Sequence, residues 1–139
     1  MTLPLPGNPV ADPNIQQKFD AISLNWTSGT YDPWHVVGAA GQPAFANGWG
    51  NVGAGYGTAA FFKDPAGIVH VRGFVTAGTL NTGVFTLPAG YRPLLNEIFA
   101  EYQNGAFCAI QVLSTGVVQQ LGGAANVNLS IGCRFRGEA

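Results

Sequence analysis

The sequence predicts an all-β domain of sandwich or barrel type, preceded by one short helix. After Gly29, short apolar runs alternate with glycine, proline and asparagine, which is typical of β-sandwiches and barrels. Before Gly29, only one stretch has the three- and four-residue spacing of apolar side chains that indicates a helix. We therefore expect a Pro-rich lead with a short helix in residues 1–29, and a β-sandwich domain in residues 30–139.

The helix is predicted between Asp12, a good N-cap, and the stop signal Thr27-Ser28-Gly29. Pro13 suits the first helical position. Its apolar side chains, spaced like a coiled-coil seam, are Ile15, Phe19, Ile22 and Trp26. A helix of about 12 residues is marginal alone in water, so this stripe must pack on something. Two interpretations stay open: docking on the chain's own sheet, or a short bundle in which these four residues form a trimer interface.

Nine strands follow, and the apolar runs predict their approximate bounds as Trp34–Gly38, Gly48–Val52, Thr58–Lys63, Ile68–Ala77, Val84–Leu87, Glu97–Gln103, Phe107–Ser114, Val117–Leu121 and Val127–Arg136. Tight hairpins are predicted at 63–67 and 114–116, where Gly and Pro or Ser fix the backbone. In 68–77 apolar side chains fall on both faces, which indicates two covered faces, one in the subunit core and one near a partner subunit.

The last strand alternates between an apolar and a polar face. The polar side includes Arg134 and Arg136. The apolar side, which we expect to face the core, consists of Leu129, Ile131, Cys133 and Phe135.

Composition excludes several classes of function. The chain has 139 residues, 47% hydrophobic and 9% charged, with a net charge of -1 and no basic run, so neither nucleic acid nor an anionic membrane has an electrostatic basis for binding. No apolar stretch is long enough to span a membrane, and the N-terminus lacks the features of a signal peptide, so we expect synthesis in the cytoplasm without an export signal. So few charges favour a homo-oligomer, because obligate interfaces replace charged surface.

The sequence offers no recognisable catalytic or metal site. Cys108 and Cys133 lack metal spacing and are interpreted as buried free thiols, with a disulfide or a catalytic thiol as alternatives. The two histidines, His35 and His70, are near no nucleophile signature, and we predict neither a cofactor nor a metal. A glycosidase remains an alternative, since two carboxyl groups could converge from among Asp32, Asp64, Glu97 and Glu101.

Aromatic and polar side chains near loops suggest a saccharide-binding surface. An exposed ring can stack on the apolar face of a sugar while neighbouring polar groups bind its hydroxyls. The candidate ligand-binding residues are Trp34, Trp49, Tyr56, Asp64, His70 and Arg72. Each ring could instead be a core plug, and Asp64 and Arg72 could form an ion pair across a subunit boundary.

The order of several motifs resembles the C-terminal head domains of tailed-bacteriophage tail-tip and tail-fibre proteins. The segments that carry the resemblance are Trp34-His35-Val36-Val37-Gly38, Gln42-Pro43-Ala44-Phe45-Ala46-Asn47-Gly48-Trp49, Phe61-Phe62-Lys63-Asp64, Gly67-Ile68-Val69-His70-Val71-Arg72-Gly73 and Phe85-Thr86-Leu87-Pro88-Ala89-Gly90-Tyr91-Arg92-Pro93. The resemblance implies a homotrimeric, jelly-roll-like β-sandwich head in the virion tail that recognises host cell-surface saccharides. One short helix replaces the family's long shaft, which suggests a small tip protein or an excised head. We interpret the last segment as scaffold, with Tyr91 plugging the core and Arg92 bonding loop carbonyls.

These observations lead to one principal hypothesis and two alternatives. The principal hypothesis is a non-enzymatic adhesin that attaches a virion to host saccharide through weak sites multiplied on a trimer, with other tail proteins as its virion partners. The first alternative is a structural tail-tip or decoration protein without receptor binding. The second is a polysaccharide depolymerase that uses a pair of the carboxylates named above.

Overall fold

Two antiparallel β-sheets face each other across an apolar core. A computed structural model describes Asn14 and residues 31–139, and the chain divides into two compact units, residues 1–32 and 33–139. The predicted helix, with Ile15, Phe19, Ile22 and Trp26, lies outside the described residues. Within the described part, no helix is long and apolar enough to cross a membrane.

Eleven strands make up the sheets of residues 33–139, and their bounds are β1 His35–Val36, β2 Gly50–Asn51, β3 Ala60–Lys63, β4 Ile68–Arg72, β5 Phe74–Thr76, β6 Gly83–Thr86, β7 Glu97–Gln103, β8 Ala106–Val112, β9 Val117–Leu121, β10 Leu129–Ser130 and β11 Cys133–Arg136. One sheet has four strands in the order β1-β3-β4-β11, and the other has seven in the order β2-β5-β10-β7-β8-β9-β6. Every strand pair is antiparallel.

The core lies between the two sheets and is built from alternate residues of their strands. Val69 and Val71 of β4, and Cys133 and Phe135 of β11, point inward from the four-stranded sheet. Burying one such apolar side chain stabilises the fold by about 1.5–3 kcal/mol. Because a shift of one residue would expose all of them, this burial determines which face of each strand points to the core. The largest fully buried apolar side chains are Phe61, Phe85, Leu87, Ile110, Leu129 and Ile131.

Two of the predicted strands are each divided between the sheets. The predicted strand 68–77 becomes β4 and β5, which meet at Gly73, and the predicted strand 127–136 becomes β10 and β11, which meet near Gly132. Ile131 N donates to Gly73 O at 3.1 Å, so the two crossings are hydrogen-bonded to each other. Gly73 has φ +148°, and a Cβ there would lie 2.7 Å from the Ala59 Cα, so only glycine fits this corner.

The predicted all-β sandwich is confirmed. The bounds Glu97–Gln103 and Val117–Leu121 agree with the prediction residue for residue, whereas β1 and β2 are shorter because the flanking chain turns away, as where Gly38 N bonds to Pro43 O. Both predicted hairpins are present: Asp64 N bonds to Ile68 O at 2.9 Å, and Leu113 N bonds to Val117 O at 2.9 Å. The two cysteines are buried and free, as predicted.

Candidate functional site

The outer face of the four-stranded sheet gathers aromatic and cationic side chains, and we call it the arginine face. Its residues alternate with the inward-pointing side chains of β3, β4 and β11 and project away from the core. The arginine face consists of Trp34, Phe62, His70, Arg72, Arg134 and Arg136. Register holds the set together, because His70 lies opposite both Phe62 and Arg134.

Ring contacts connect this face from its edge strand to its centre. Trp34, 40% exposed, has its indole edge-on to Phe62 with centroids 4.6 Å apart, and the Phe62 ring stacks on the His70 imidazole at 4.6 Å. The Arg72 guanidinium carbon lies 4.2 Å from the centroid of a Trp34 ring, within the range of a cation–π interaction. Arg72 is therefore ordered by stacking while remaining exposed.

Asp64 fixes the edge of this face, and each of its two carboxylate oxygens has a hydrogen-bond partner. Its Oδ2 lies 2.8 Å from His70 Nε2, and its Oδ1 accepts from the backbone N–H groups of Ala66 and Ile68 at 2.9 and 3.0 Å. The hydrogen bond from His70, together with those backbone donors, holds the pKa of Asp64 below its ordinary value. Asp64 thus orients the imidazole and closes the β3–β4 turn.

The structure brings together four of the six predicted ligand-binding residues: Trp34, Asp64, His70 and Arg72. Trp49 instead lies in the core, 3% exposed, with its Nε1 donating to Thr82 Oγ1 at 3.1 Å. The chain makes room for the indole at Gly78, where a Cβ would overlap the Trp49 ring. Trp49 therefore packs in the hydrophobic core and is not part of a surface binding site.

Tyr56, the sixth candidate, is exposed but lies on the other sheet. Its ring packs at 4.8 Å against Phe74 of β5, which belongs to the seven-stranded sheet. It therefore does not join the arginine face. Conversely, Arg134 and Arg136 were placed on a polar face by their alternation but were not among the candidates, because only the pairing of β11 with β4 brings them beside His70.

Three of the four carboxylates proposed for a glycosidase, Asp64, Glu97 and Glu101, belong to the second unit and lie apart in it, whereas the fourth, Asp32, belongs to the first unit. Glu97 and Glu101 are four residues apart on β7, about 13 Å at the rise of a strand, whereas glycosidase carboxyl groups lie about 5–9.5 Å apart. Asp64 lies in the turn between β3 and β4, at the edge of the arginine face, and these two strands belong to the other sheet from β7. Among the described residues, no cluster of three or more His, Cys, Asp or Glu side chains has the arrangement of a metal site.

The partly buried Glu101 carboxyl lies near the two buried thiols, Cys108 and Cys133, and these thiols are unreactive. Burial raises the pKa of Glu101. Burial, with a smaller effect of the Glu101 charge, raises the pKa of the Cys108 thiol and brings that of Cys133 to about 12. A thiol with so high a pKa is protonated at neutral pH and is a poor nucleophile.

The segment 85–93, interpreted from the sequence as scaffold, packs on the core and bonds to its own loop. Tyr91 packs its ring on Phe61 with centroids 5.0 Å apart, and its hydroxyl lies 3.0 Å from His35 Nε2. Arg92 Nε donates to Leu87 O at 3.0 Å, so this arginine is committed to the loop, as predicted.

A second notable surface is the outer face of the seven-stranded sheet, which we call the apolar face. It is exposed, with Phe107 92% accessible, and Gln111 and Gln119 hydrogen-bond to each other on it. By strand alternation, the outward-pointing residues of β5 to β10 include no Asp, Glu, Lys or Arg. Its main apolar members are Phe74, Ile98, Ala100, Tyr102, Phe107, Ala109 and Leu121.

Comparisons with known proteins give one structural likeness. No protein-family model and no curated protein sequence matches the chain. Among solved structures, the fold is similar to the receptor binding protein gp15 of Listeria phage PSA, with a TM-score of 0.57 and 17% sequence identity, over 86% of this chain and 76% of that one. At this identity the likeness concerns the fold: the two chains share a β-sandwich architecture.

Proposed function

We propose that this chain is a receptor-binding protein of a phage tail, which attaches the virion to a saccharide on the host cell surface. The observation that carries the proposal is the arginine face, where an exposed tryptophan, a stacked arginine and an oriented histidine lie together on a rigid sheet. The fold shared with a phage receptor binding protein supports the tail location. The motif resemblance to phage head domains supports the same conclusion.

A single site of this kind is weak, so attachment depends on repetition. One partly exposed ring and a few hydrogen bonds give a dissociation constant of about 1 mM, or roughly 4 kcal/mol. Linking several sites in one assembly raises avidity by about 10² to 10⁴ without any new contact. We therefore propose that the chain works as a homotrimer.

The apolar face is the surface by which we propose that copies associate. Charged residues are depleted at the centre of obligate interfaces, and aromatic residues are enriched there. The apolar face has both properties, and the second copy is the occupant that suits a chain with only 9% charged residues. This arrangement leaves the arginine face, on the opposite sheet, open to the host surface.

The proposal is tested by sedimenting the fluorescently labelled protein with a panel of purified bacterial cell walls. We expect capture by the walls of some strains, loss of capture after periodate oxidation of wall sugars, and at least a tenfold loss with Trp34→Ala. Leu95→Ala is the control, because Leu95 is 75% exposed but lies on neither of the two faces defined here.

Three results would contradict the proposal. Absence of capture by every wall would favour a structural tail component. Capture that survives periodate would indicate a receptor other than a saccharide. Release of reducing ends from the bound wall would indicate a depolymerase.

A further inference from the structure

Three of the five lysine and arginine side chains in residues 31–139 lie on one surface. The chain has four arginines, and three of them, Arg72, Arg134 and Arg136, are exposed on the arginine face. The fourth, Arg92, is bonded to the Leu87 carbonyl, and Lys63 donates to the Gly90 carbonyl at 3.0 Å. The three arginines of the face therefore make a positive patch on a molecule whose net charge is -1.

Strand geometry sets the spacing of these three groups. Arg134 lies directly opposite His70, and Arg136 lies opposite Ile68. Arg72 is two residues beyond His70 on β4 and four residues beyond Ile68. At roughly 3.3 Å per residue, the patch from Arg136 to Arg72 therefore extends about 13 Å along the strand. Diagonal neighbours across an antiparallel pair are about 7–8 Å apart, a distance at which one ligand can contact two guanidinium groups.

The three guanidinium groups are not neutralised within the described residues. Asp64 is the acidic residue nearest to them in this hairpin, and its two oxygens are taken by His70, Ala66 N and Ile68 N. No carboxylate in residues 31–139 forms an ion pair with Arg72, Arg134 or Arg136. Like charges held close together on a sheet destabilise it, so a patch of this kind carries a cost to the fold that an anionic ligand would offset.

Arg72 is prepared for an anion in a way that an ordinary surface arginine is not. Stacking on the Trp34 ring restricts the guanidinium plane, and a planar guanidinium can donate two parallel hydrogen bonds to a phosphate or carboxylate group. Trp34 itself remains 40% exposed beside it, available to the apolar surface of a sugar ring. An anionic group and a sugar would therefore be recognised side by side.

We propose that the arginine face binds an anionic saccharide, one whose sugar units carry phosphate or carboxylate groups. This inference rests on the proposed function and narrows its ligand class. The anionic groups contact Arg72, Arg134 and Arg136, and the sugar ring contacts Trp34. His70 is held in place by its hydrogen bond to Asp64 and by stacking on Phe62.

The test is an NMR titration of the full-length protein at fixed ionic strength with glucose, glucose 6-phosphate, glucuronate and inorganic phosphate. We expect glucose 6-phosphate, glucuronate or both to bind at least tenfold more tightly than glucose, with shifts at the Trp34 indole and the Arg72 guanidinium. Comparison of the two anionic sugars identifies the group that is recognised. Inorganic phosphate is expected to bind more weakly than glucose 6-phosphate, because it lacks the ring that contacts Trp34.

Two variants separate a local site from net charge. Arg134→Gln with Arg136→Gln is expected to abolish the preference for the anionic sugars, and Arg134→Lys with Arg136→Lys to retain most of it. Adding Glu97→Gln to the first double variant restores one unit of charge on the other sheet and is expected not to rescue binding. Glucose binding as tightly as both anionic sugars, free phosphate binding as tightly as the preferred anionic sugar, or rescue by Glu97→Gln would each overturn the inference.

The cell-wall assay distinguishes failure of this inference from failure of the proposed function. If Trp34→Ala abolishes capture but the double glutamine variant does not, the protein is a receptor-binding protein for a neutral saccharide and this inference is wrong. If the anionic sugars bind but no wall captures the protein, the site is correctly identified and the proposed role is wrong.

Discussion

At the scale of single residues, position in the fold decides whether a side chain of the right type belongs to the site. Trp34 and Trp49 both lie beside loop residues in the sequence, yet one is at the surface and the other is in the core. The sequence pattern could not separate them, because the space for the Trp49 ring comes from Gly78, 29 positions further on. Arg134 and Arg136 show the same limit: their exposure follows from alternation, but their neighbours depend on a distant strand.

Asp64 provides a test of the edge of the arginine face. Its pKa is lowered in the folded protein, so its contribution to stability is present above the ordinary carboxyl pKa of about 4 and is lost as the pH falls through the lower folded value. Asp64→Asn removes this ionisation. We expect the variant to melt a few degrees below the wild type at pH 7, and the difference between them to shrink towards pH 2.5. A difference in melting temperature that stays constant with pH would contradict this role.

The buried thiols give a second test at this scale. Because the pKa of Cys133 is about 12 and that of Cys108 is also raised, both thiols are expected to remain unreactive towards a disulfide reagent at pH 8 in the native protein. Two thiols should react on unfolding in urea. Rapid reaction of either one in the native state would show that the interface between the sheets is open at that point.

At the scale of elements, the strands were predicted well and their assignment to sheets was not. Val69, Val71 and Val75 keep the same alternation through Gly73, because the chain passes from one sheet to the other around a single core. The alternation of apolar and polar residues therefore does not indicate where the chain passes from one sheet to the other. The signal that was present is a glycine inside a run of β-branched residues, which often marks a bend or a close backbone approach.

The two crossings differ in how strictly they need glycine. Gly73→Ala places a methyl group 2.7 Å from the Ala59 Cα at a positive φ, and we expect it to lower the free energy of unfolding by about 2–3 kcal/mol. At Gly132 the nearest atom to an added Cβ is Ser130 Oγ at 3.8 Å, so Gly132→Ala is expected to cost no more than about 0.5 kcal/mol. Urea unfolding of the two variants checks this, and equal costs would contradict the assigned corner.

At the scale of the whole molecule, the two outer faces of the sandwich have opposite chemical character. One carries three of the four arginines, and the other carries exposed aromatic and aliphatic side chains with no charge. Composition alone indicated a shortage of charges and favoured association, but it could not say where the few charges lie. Their segregation follows from strand register and suits a protein that associates on one side and binds a ligand on the other.

The apolar face predicts the oligomeric state and its sensitivity to substitution. Light scattering of the full-length protein at micromolar concentration is expected to give three times the chain mass of 14.5 kDa. Phe107→Glu buries an unpaired charge if this face is the interface, so we expect it to give monomers with the β-sheet circular dichroism of the wild type. Leu95→Glu is the control and should remain trimeric. A trimer that tolerates Phe107→Glu would show that the copies associate elsewhere.

The most direct test of the proposed receptor-binding surface is arginine footprinting on a cell wall that captures the protein. Phenylglyoxal modifies accessible guanidinium groups, and mass spectrometry measures each arginine separately, with Arg92 as an internal reference. Binding to wall fragments is expected to reduce modification of Arg72, Arg134 and Arg136 at least threefold while leaving Arg92 unchanged. Unchanged modification of the three arginines in the fully bound protein would show that the host surface is recognised by another part of the molecule.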